Sequence, residues 1–296
     1  MRGHLGRYGT FRRTFEDPIV GGNRAAADRL GQRVRPFLLR RRKEEVARDL
    51  PEKVEMPPEW VELTEEQRAL YVAIQEQDAQ PLRESLARGT QVGLPTVLSV
   101  LTRLKQVCDH PALITGQTEP LGGRSEKFDL VLDRLDEILA REEQVVVFSH
   151  FLKTLDLIQA AIEEREVAWV RLDGSVPTDE RQRRIDRFND RGAQVALCSL
   201  RAVGHGVNLT AANHVVHVDR WWNPAVEDQA TDRVHRIGQA RTVFVHRILT
   251  VDTLEEKIAV LQERKRGLSD RIMGASAQGA MGWTREELLE LLQPLE

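Results

Sequence analysis

The sequence predicts an α/β fold in which helices flank a parallel sheet, because short apolar strands alternate with longer amphipathic helices. A continuous apolar run at 145–149 is followed by a helical pattern at 151–165. A strand at 168–172 is followed by a charged helix at 178–190. Three further strands are predicted at 195–199, 214–218 and 243–248.

Helical segments are predicted on both sides of this region. Residues 58–115 are expected to be helical, beginning with a capping box in which Thr64 precedes Gln67 by three positions. His110 and Pro111 end this helical region. A long charged helix at 252–273 and a short helix at 284–292, capped by Thr284, are predicted after the strands.

Composition limits the possible partners. The net charge of −3 gives no overall attraction to nucleic acid, so DNA contacts must come from local patches such as the four cations at 40–43. An ordinary solvated helix start is an equally good interpretation of that run. The cysteines, Cys108 and Cys198, cannot build a disulfide framework or a zinc site, and we expect both to be reduced and buried. With no apolar run of membrane length and no signal core, a cytoplasmic protein without membrane contact is expected.

Polar and glycine-rich stretches follow three of the strands, where ligands of α/β sheets bind. Ser149 and His150 follow the first strand, and Lys153 lies in the helix that they open. Helix N-terminal amides attract phosphate, but Ser149 could equally be a simple N-cap. Gly174 and Ser175 follow the second strand. The third is followed by a loop that carries the residues Arg201, Gly204, Gly206 and Asn208.

The stretch 218–239 carries a candidate phosphate-binding group. Asn223 and Pro224 predict a helix start, and Gly238 predicts its end. One predicted face holds Val226, Ala230, Val234 and Ile237, and a neighbouring face holds Gln229, Arg233 and Arg236. Guanidinium groups bind phosphate oxygens bidentately, which would suit a triphosphate. The alternative is a solvated face on which Arg233 pairs with Asp228 or Asp232.

The string D-R-W-W-N-P-A-V-E-D-Q-A-T-D-R-V-H-R-I-G-Q closely resembles the last helicase motifs of the Swi/Snf family of ATP-dependent DNA translocases, in helicase superfamily two. V-V-V-F-S-H-F, L-D-G-S-V-P-T-D-E-R and C-S-L-R-A-V-G-H-G-V-N-L-T resemble further motifs of that family, in the same order. The resemblance covers nearly all of 125–250. It is weaker over 30–115, where it includes 36–53 and L-x-x-L-K-Q-V-C-D-H-P-A-L.

The resemblance implies four regions. Residues 1–57 would be the end of a first lobe with its linker, and 58–118 a helical protrusion. Residues 119–250 would be a second RecA-like lobe, and 251–296 helices that pack on it. ATP and Mg²⁺ would serve the complete enzyme, although no metal ligand is expected in this chain. The implied partners are double-stranded DNA and the first lobe, with other DNA-bound proteins as further candidates.

Residue roles also follow from the resemblance. Arg236 would reach the γ-phosphate of ATP, and Arg233 would support it as a second catalytic residue. The residues Gln229, Gly206 and Asn208 would belong to the nucleotide-binding site. The DNA groove would be lined by Ser149, His150, Lys153, Gly174, Ser175, Arg201 and Gly204. Gln239, where RNA-unwinding relatives usually have arginine, favours the double-stranded DNA branch.

Several features depart from the family pattern. No P-loop G-x-x-x-x-G-K-[ST] and no D-E-x-H segment occurs, so we expect a fragment or split gene product that is inactive as this chain alone. Val203 stands where a glycine is usual, Arg201 replaces a frequent lysine, and His205 follows Gly204. These departures keep a second function open: a non-catalytic module that binds DNA or protein. Trp221 and Trp222 could stack on bases, but adjacent residues point apart, so the preferred interpretation is that one packs on the lobe and the other shapes the face between the lobes.

Overall fold

The computed structural model describes residues 5–20, 23–34, 50–90, 92–202, 207–271 and 285–293. The cations at 40–43, the loop residues 203–206 and the cap at Thr284 lie outside this described part. The structure therefore does not test the predictions that involve Val203, Gly204, His205 and Gly206. The chain divides into two compact units, one of residues 1–48 and 263–280 and the other of 49–262 and 281–296.

The described part of the first unit is helical. Helices α1 (Tyr8–Phe11) and α2 (Asp17–Val20) are joined by a π-helical turn, and α3 covers Arg24–Val34. Phe15 is buried, and its ring centroid lies 5.8 Å from that of Phe11. The Arg33 guanidinium lies 5.7 Å from the centre of the Phe15 ring. A small aromatic contact therefore holds this unit together.

The described residues of the second unit contain a seven-stranded parallel sheet, which confirms the predicted fold class. Five strands match the prediction to within two residues. These are β3 (Val145–Ser149), β4 (Trp169–Leu172), β5 (Val195–Ser199), β6 (His214–His217) and β7 (Val243–Thr250). The order across the sheet is β7-β6-β3-β5-β4, so β4 forms one edge.

Two further strands are absent from the sequence prediction. Strands β1 (Lys53–Glu55) and β2 (Glu59–Val61) both pair with β7, at successive points along it. The expectation that residues from 58 onward are helical is wrong over Glu59–Val61. These strands are only three residues long and carry charged side chains, so pairing with a buried neighbour rather than their own pattern makes them strands.

The helices follow the predicted order. The hairpin region contains α4 (Glu65–Ile74), α5 (Gln80–Ala87), α6 (Leu94–Asp109) and α7 (Ala112–Thr115). The sheet is accompanied by α8 (Glu126–Leu139), α9 (Leu152–Glu163), α10 (Thr178–Asn189) and α11 (Pro224–Thr231). The last two are α12 (Leu254–Arg271) and α13 (Arg285–Leu292). The Thr64–Gln67 capping box is present, as predicted, and Ser125 caps α8 by accepting the Phe128 N–H.

Alternate side chains of the fully buried strands enter two cores. Val145 and Val147 pack with the apolar faces of α8 and α9. Val146 and Phe148 point to the opposite side, where α10 and α11 contribute. Both faces are covered by helices, which explains why these strands are continuously apolar rather than alternating.

A buried charged cluster joins the helical hairpin to the lobe. The Lys127 ammonium on α8 lies 2.6 Å from Glu255 Oε2 and 3.4 Å from Asp109 Oδ1, at the end of α6. The Thr154 hydroxyl donates to the other Asp109 oxygen at 2.8 Å. Burial raises the pKa of Asp109 to about 7, although Lys127 opposes the shift. Burial would lower the pKa of Lys127, but the two carboxylates outweigh it and the pKa is raised.

Candidate DNA and nucleotide site

Asp219 holds the end of β3 in place. Its buried carboxylate accepts the Ser149 hydroxyl at 2.5 Å and the His150 N–H at 3.0 Å. The buried Lys105 ammonium lies 3.7 Å from the same carboxylate. The Ser149 side chain is turned to Asp219 and is fully buried, so in this structure it supports the loop rather than facing solvent. Asp219 and Lys105 are site residues that the sequence analysis did not single out.

An aromatic and cationic stack lies beside this loop. The His150 ring centroid lies 4.1 Å from that of Trp221, and the exposed Arg201 guanidinium lies 5.7 Å from the centre of the same Trp221 ring. Burial, followed by the nearby Lys105 and Arg201 charges, lowers the pKa of His150 to about 3. His150 is therefore neutral at physiological pH, and Arg201 carries the positive charge of the stack.

Both tryptophans contact Lys105 rather than forming an open stacking platform. The ammonium lies 5.0 Å from the ring centre of Trp222 and 6.0 Å from that of Trp221. Trp222 is buried among apolar residues of the hairpin, and Trp221 is half-buried. Trp222 is thus a packing residue, although its core is formed with the helices of 65–109 and α12 rather than with the sheet, and the expected role of the other tryptophan between lobes stays a prediction.

The loop after β4 is built around Asp173. Its carboxylate accepts the Ser175 N–H at 2.9 Å and the Ser175 hydroxyl at 2.5 Å, while Arg171 Nε donates at 2.6 Å. Burial opposes ionisation, but these hydrogen bonds outweigh it and lower the pKa of Asp173. Gly174 is exposed, and a Cβ added there would meet no atom within 4 Å. Ser175 and Gly174 therefore present an open backbone, with Lys153 also exposed.

Arg181 on α10 connects this loop to the next one. Its guanidinium donates to the carbonyls of Asp173 at 3.0 Å and Val176 at 3.4 Å, and to that of Ala202 at 3.2 Å. The loops after β4 and β5 are thus joined through one side chain. Nothing in the local sequence distinguishes Arg181 from the exposed arginines near it, so sequence reasoning missed it.

The segment that carries Arg233 and Arg236, called the arginine segment below, follows a shorter helix than predicted. Asn223 caps α11 by accepting the Ala225 N–H, as expected, but α11 ends at Thr231 rather than near Gly238. Arg233 and Arg236 therefore lie in turns, and the prediction of one helical face shared with Gln229 is wrong. Ile237, assigned to the apolar face, is 77% exposed. Ala230 and Val234 are buried, as that face required.

Competing hydrogen-bond donors explain why the helix does not continue as far as Gly238. The Arg233 carbonyl accepts the Leu209 N–H at 2.9 Å, so it is not available to the residue four positions on. The Val234 carbonyl accepts the Arg236 N–H at 3.1 Å and the Gln239 side-chain amide at 3.3 Å. Gln239 also donates to the Ala212 carbonyl at 2.7 Å. Gln239 thus has a structural role that its motif position alone did not reveal.

The nucleotide-site candidates differ in burial. Arg236 and Gln229 are exposed, while Arg233 and Asn208 are half-buried. Arg233 Nε and Asn208 Oδ1 are buried without a hydrogen-bond partner among the described residues. The Leu209–Arg233 hydrogen bond brings the residue after Asn208 to the arginine segment. Buried unpaired polar atoms are costly, so a donor and an acceptor at this place suit a polar ligand.

A second network of charged side chains contacts α11 through the buried Glu227. Glu227 on α11 accepts the Trp221 N–H at 2.7 Å, and its other oxygen lies 3.4 Å from Arg220 and 3.7 Å from Arg247. Arg247 on β7 also pairs with Glu55 on β1. The Arg247 charge lowers the pKa of Glu55, although burial acts in the opposite direction.

The two cysteines are buried free thiols, and burial raises the pKa of each. In the described ranges, no group of three histidine, cysteine or acidic side chains is arranged to hold a metal ion. Within the same ranges, no helix combines the length and apolarity that a membrane span needs.

Two family models match this chain, one over its N-terminal part and one over its C-terminal part. The model for the helicase conserved C-terminal domain matches residues 127–238, and that for the SNF2-related domain matches 1–113. The candidate ATP-dependent helicase/translocase YwqA of Bacillus subtilis is 42% identical over 278 residues, which are 92% of this chain and 30% of YwqA. The chain thus spans less than a third of the length of this curated relative.

Solved structures give the same result. The SWI2/SNF2 ATPase core of Sulfolobus solfataricus in complex with dsDNA is 35% identical with a TM-score of 0.67, over 99% of this chain and 62% of that one. The C-terminal domain of the Sulfolobus solfataricus SWI2/SNF2 ATPase is 31% identical with a TM-score of 0.64, over 83% of this chain and 100% of that one. The chain belongs to the Swi2/Snf2 family of helicase-like ATPases.

Proposed function

We propose that this chain is the second motor lobe of an ATP-dependent translocase on double-stranded DNA. The observation that carries the proposal is the hydrogen bond from the Leu209 N–H to the Arg233 carbonyl. It joins the loop after β5, which begins with Arg201, to the segment that carries Arg233 and Arg236. A group facing DNA and a group facing nucleotide would then move together.

In this proposal Arg236 is the arginine finger. It is exposed in the turns that follow α11, so it is accessible to a phosphate held by a first lobe. ATP supplies the phosphoryl group, and Mg²⁺ would be held outside this chain. The Arg236 guanidinium would offset negative charge that develops on the transferred phosphoryl group. Arg233, whose Nε is buried and unpaired, would hold a second phosphate oxygen or position Arg236.

On the DNA side, the exposed cations Arg201 and Lys153 would contact backbone phosphates. The open backbone at Gly174 and Ser175 would allow close approach of the duplex. Such contacts carry no base information, so binding independent of sequence is expected. Ser149 and His150 would act through the shape of the loop, because one is buried and the other is neutral.

The proposal is tested by measuring phosphate release with and without a first lobe. The 296 residues contain no P-loop, so we expect the purified chain to release no phosphate from ATP, with or without DNA. Adding a P-loop lobe, either fused or as a separate polypeptide from a Swi2/Snf2 relative, should produce DNA-stimulated release. A well-folded joined protein that binds ATP and duplex DNA but releases no phosphate would instead support the non-catalytic module.

A further inference from the structure

Within the part of the chain that the structure describes, strand β4 has a strand neighbour on one side only. It is the edge of the sheet, and the Ala168 carbonyl just before it accepts N–H groups from Gln194 and Val195 on the β5 side. Because successive residues of a strand turn their backbone groups to opposite sides, Trp169 and Arg171 direct theirs outward. The Arg171 carbonyl does face outward, since Arg184 on α10 donates to it at 3.0 Å.

A groove of about 510 Å³ runs between this edge and α10. It is lined by residues 167–171 and, on α10, by Glu180, Arg183, Arg184 and Arg187. The Arg171 guanidinium is bound by Asp156 and Asp173, and Arg184 Nε is bound by Glu180, so the exposed Arg183 and Arg187 are the cations that a ligand could reach. The ion pairs of Arg183 with Asp179 and Glu180 are solvent-exposed, so they hold this arginine only weakly.

We propose that this groove binds an extended acidic segment of a partner protein, which adds to the sheet as a strand beside β4. The N–H groups of Trp169 and Arg171 and the Trp169 carbonyl would pair with the segment, as in other cases of strand addition, while Arg184 keeps the Arg171 carbonyl. Its alternate carboxylates would reach Arg183 and Arg187, which lie one helical turn apart on α10. The single groove therefore matches both the backbone and the charge of such a segment.

The backbone edge favours a peptide over a nucleic acid. Phosphates would satisfy the arginines, but they would leave the outward N–H groups of the strand without the regular partners that another strand offers. The groove also lies along the side of β4, whereas Gly174 and Ser175 lie beyond its carboxyl end. It is therefore separate from the proposed DNA-contacting loops and does not depend on them.

The test uses the full chain and a short fluorescein-labelled peptide of alternating Glu and Val, followed by fluorescence anisotropy. A second peptide of the same sequence carries N-methyl groups on alternate residues, which removes strand hydrogen bonds but keeps every charge. We expect the methylated peptide to bind about tenfold more weakly or worse, because strand pairing supplies much of the affinity. Hydrogen exchange at Trp169 and Arg171 should slow only with the unmodified peptide.

The protein variants test the charges. The double variant Arg183→Glu/Arg187→Glu should weaken peptide binding about tenfold or more, since it replaces attraction by repulsion. The matched control is Arg68→Glu/Arg88→Glu, which changes the net charge equally at exposed positions outside the groove. It should leave peptide binding within about twofold, and both variants should keep the melting temperature.

Three outcomes would overturn the proposal. The first is equal binding of the two peptides, which would indicate general attraction of a polyanion. The second is equal weakening by the groove variant and its control. The third is loss of duplex DNA affinity in the Arg183→Glu/Arg187→Glu variant by the same factor as loss of peptide affinity, which would assign the groove to nucleic acid.

Discussion

The Lys127 ammonium lies 2.6 Å from Glu255 Oε2, and the two residues are 128 positions apart in the sequence. Both side chains are buried, together with Asp109. Two carboxylates thus share one ammonium group in the interior, where the dielectric constant is low and an unpaired charge is costly. This cluster connects the end of α6, the start of α8 and the start of α12, so it fixes these three helices to one another.

Replacing Lys127 by Met should lower the free energy of unfolding by about 3–5 kcal/mol, because it leaves buried carboxylates without a cation. Urea denaturation followed by circular dichroism measures the loss. Adding Glu255→Gln to the same chain should restore part of the stability, because one of the two charges is then removed. The exposed Arg88→Ala variant serves as control and should change stability by at most about 0.5 kcal/mol. A Lys127→Met loss no larger than that of the control would contradict the role of the cluster.

A second buried group predicts a dependence of stability on pH. His214 Nδ1 and His246 Nε2 lie 3.1 Å apart on neighbouring strands, and burial lowers the pKa of His246 to about 4. The folded state therefore resists protonation while the unfolded state, with a histidine pKa near 6.5, accepts a proton. The stabilisation from neutral His246 is present above about pH 6.5 and is lost as pH falls towards 4.

Because the raised pKa of Asp109 acts with the opposite sign, the measurement compares two proteins rather than two pH values alone. The stability advantage of wild type over His246→Gln should shrink by about 2 kcal/mol between pH 7.5 and pH 5. Urea titrations of both proteins at both pH values give this difference. A constant advantage across the range would mean that His246 titrates normally in the folded protein.

Much of the fold was predictable because local pattern and long-range packing agree there. The runs at β3 and β5 were assigned with correct bounds, since fully buried parallel strands are continuously apolar. The caps at Thr64 and Asn223 were also correct, because a cap depends on residues two or three positions away.

The errors occur where distant residues decide the structure. The pattern after Thr231 is helical at i, i+3 and i+4, but Leu209 and Gln239 take the carbonyls that a longer helix would need. Strands β1 and β2 exist through pairing with β7. The buried Asp219 and Lys105 and the half-buried Arg181 carry charged side chains that look like surface residues in the sequence. Their partners lie too far along the chain for any local pattern to show.

The candidate DNA contacts make different predictions for buried and exposed residues. Arg201→Ala should weaken duplex binding and lower the slope of log K against log salt concentration by about 1, because one phosphate contact is lost. Lys153→Ala should act similarly. Ser149→Ala should leave the salt slope unchanged, since its buried hydroxyl is bonded to Asp219. Anisotropy of a labelled duplex over a range of salt concentrations measures all three variants.

Comparison of the salt slopes of these variants decides whether Arg201 and Lys153 contact DNA. Arg88→Ala, at an exposed position on the helical hairpin, is the charge-matched control for Arg201→Ala. An identical salt slope for wild type, Arg201→Ala and Lys153→Ala would remove both residues from the DNA contact. A changed slope in Ser149→Ala would show that the loop held by this hydroxyl sets the number of cation–phosphate contacts.

Arg236 carries the strongest prediction of the proposed motor function. In a chain joined to a P-loop lobe, Arg236→Ala should lower turnover at saturating ATP and DNA by about 10³ or more, because an arginine finger contributes on the order of 10³–10⁵ in rate. Arg236→Lys should recover little, since a flexible ammonium does not reproduce the planar fork. Arg236 is exposed, so neither change should move the melting temperature, and DNA affinity should persist.

Arg233→Ala separates catalysis from structure at the same place. Arg233 Nε is buried without a partner, and the main-chain bond to Leu209 does not need the side chain. Turnover should therefore fall in Arg233→Ala while the fold and DNA affinity are retained. The ordinary alternative is that both arginines are solvated side chains, whose loss costs about 1 kcal/mol or less and leaves turnover within a few-fold of wild type. If Arg236→Ala and Arg233→Ala both behave in that way, while Arg88→Ala also has no effect, the arginine segment is not part of the catalytic site.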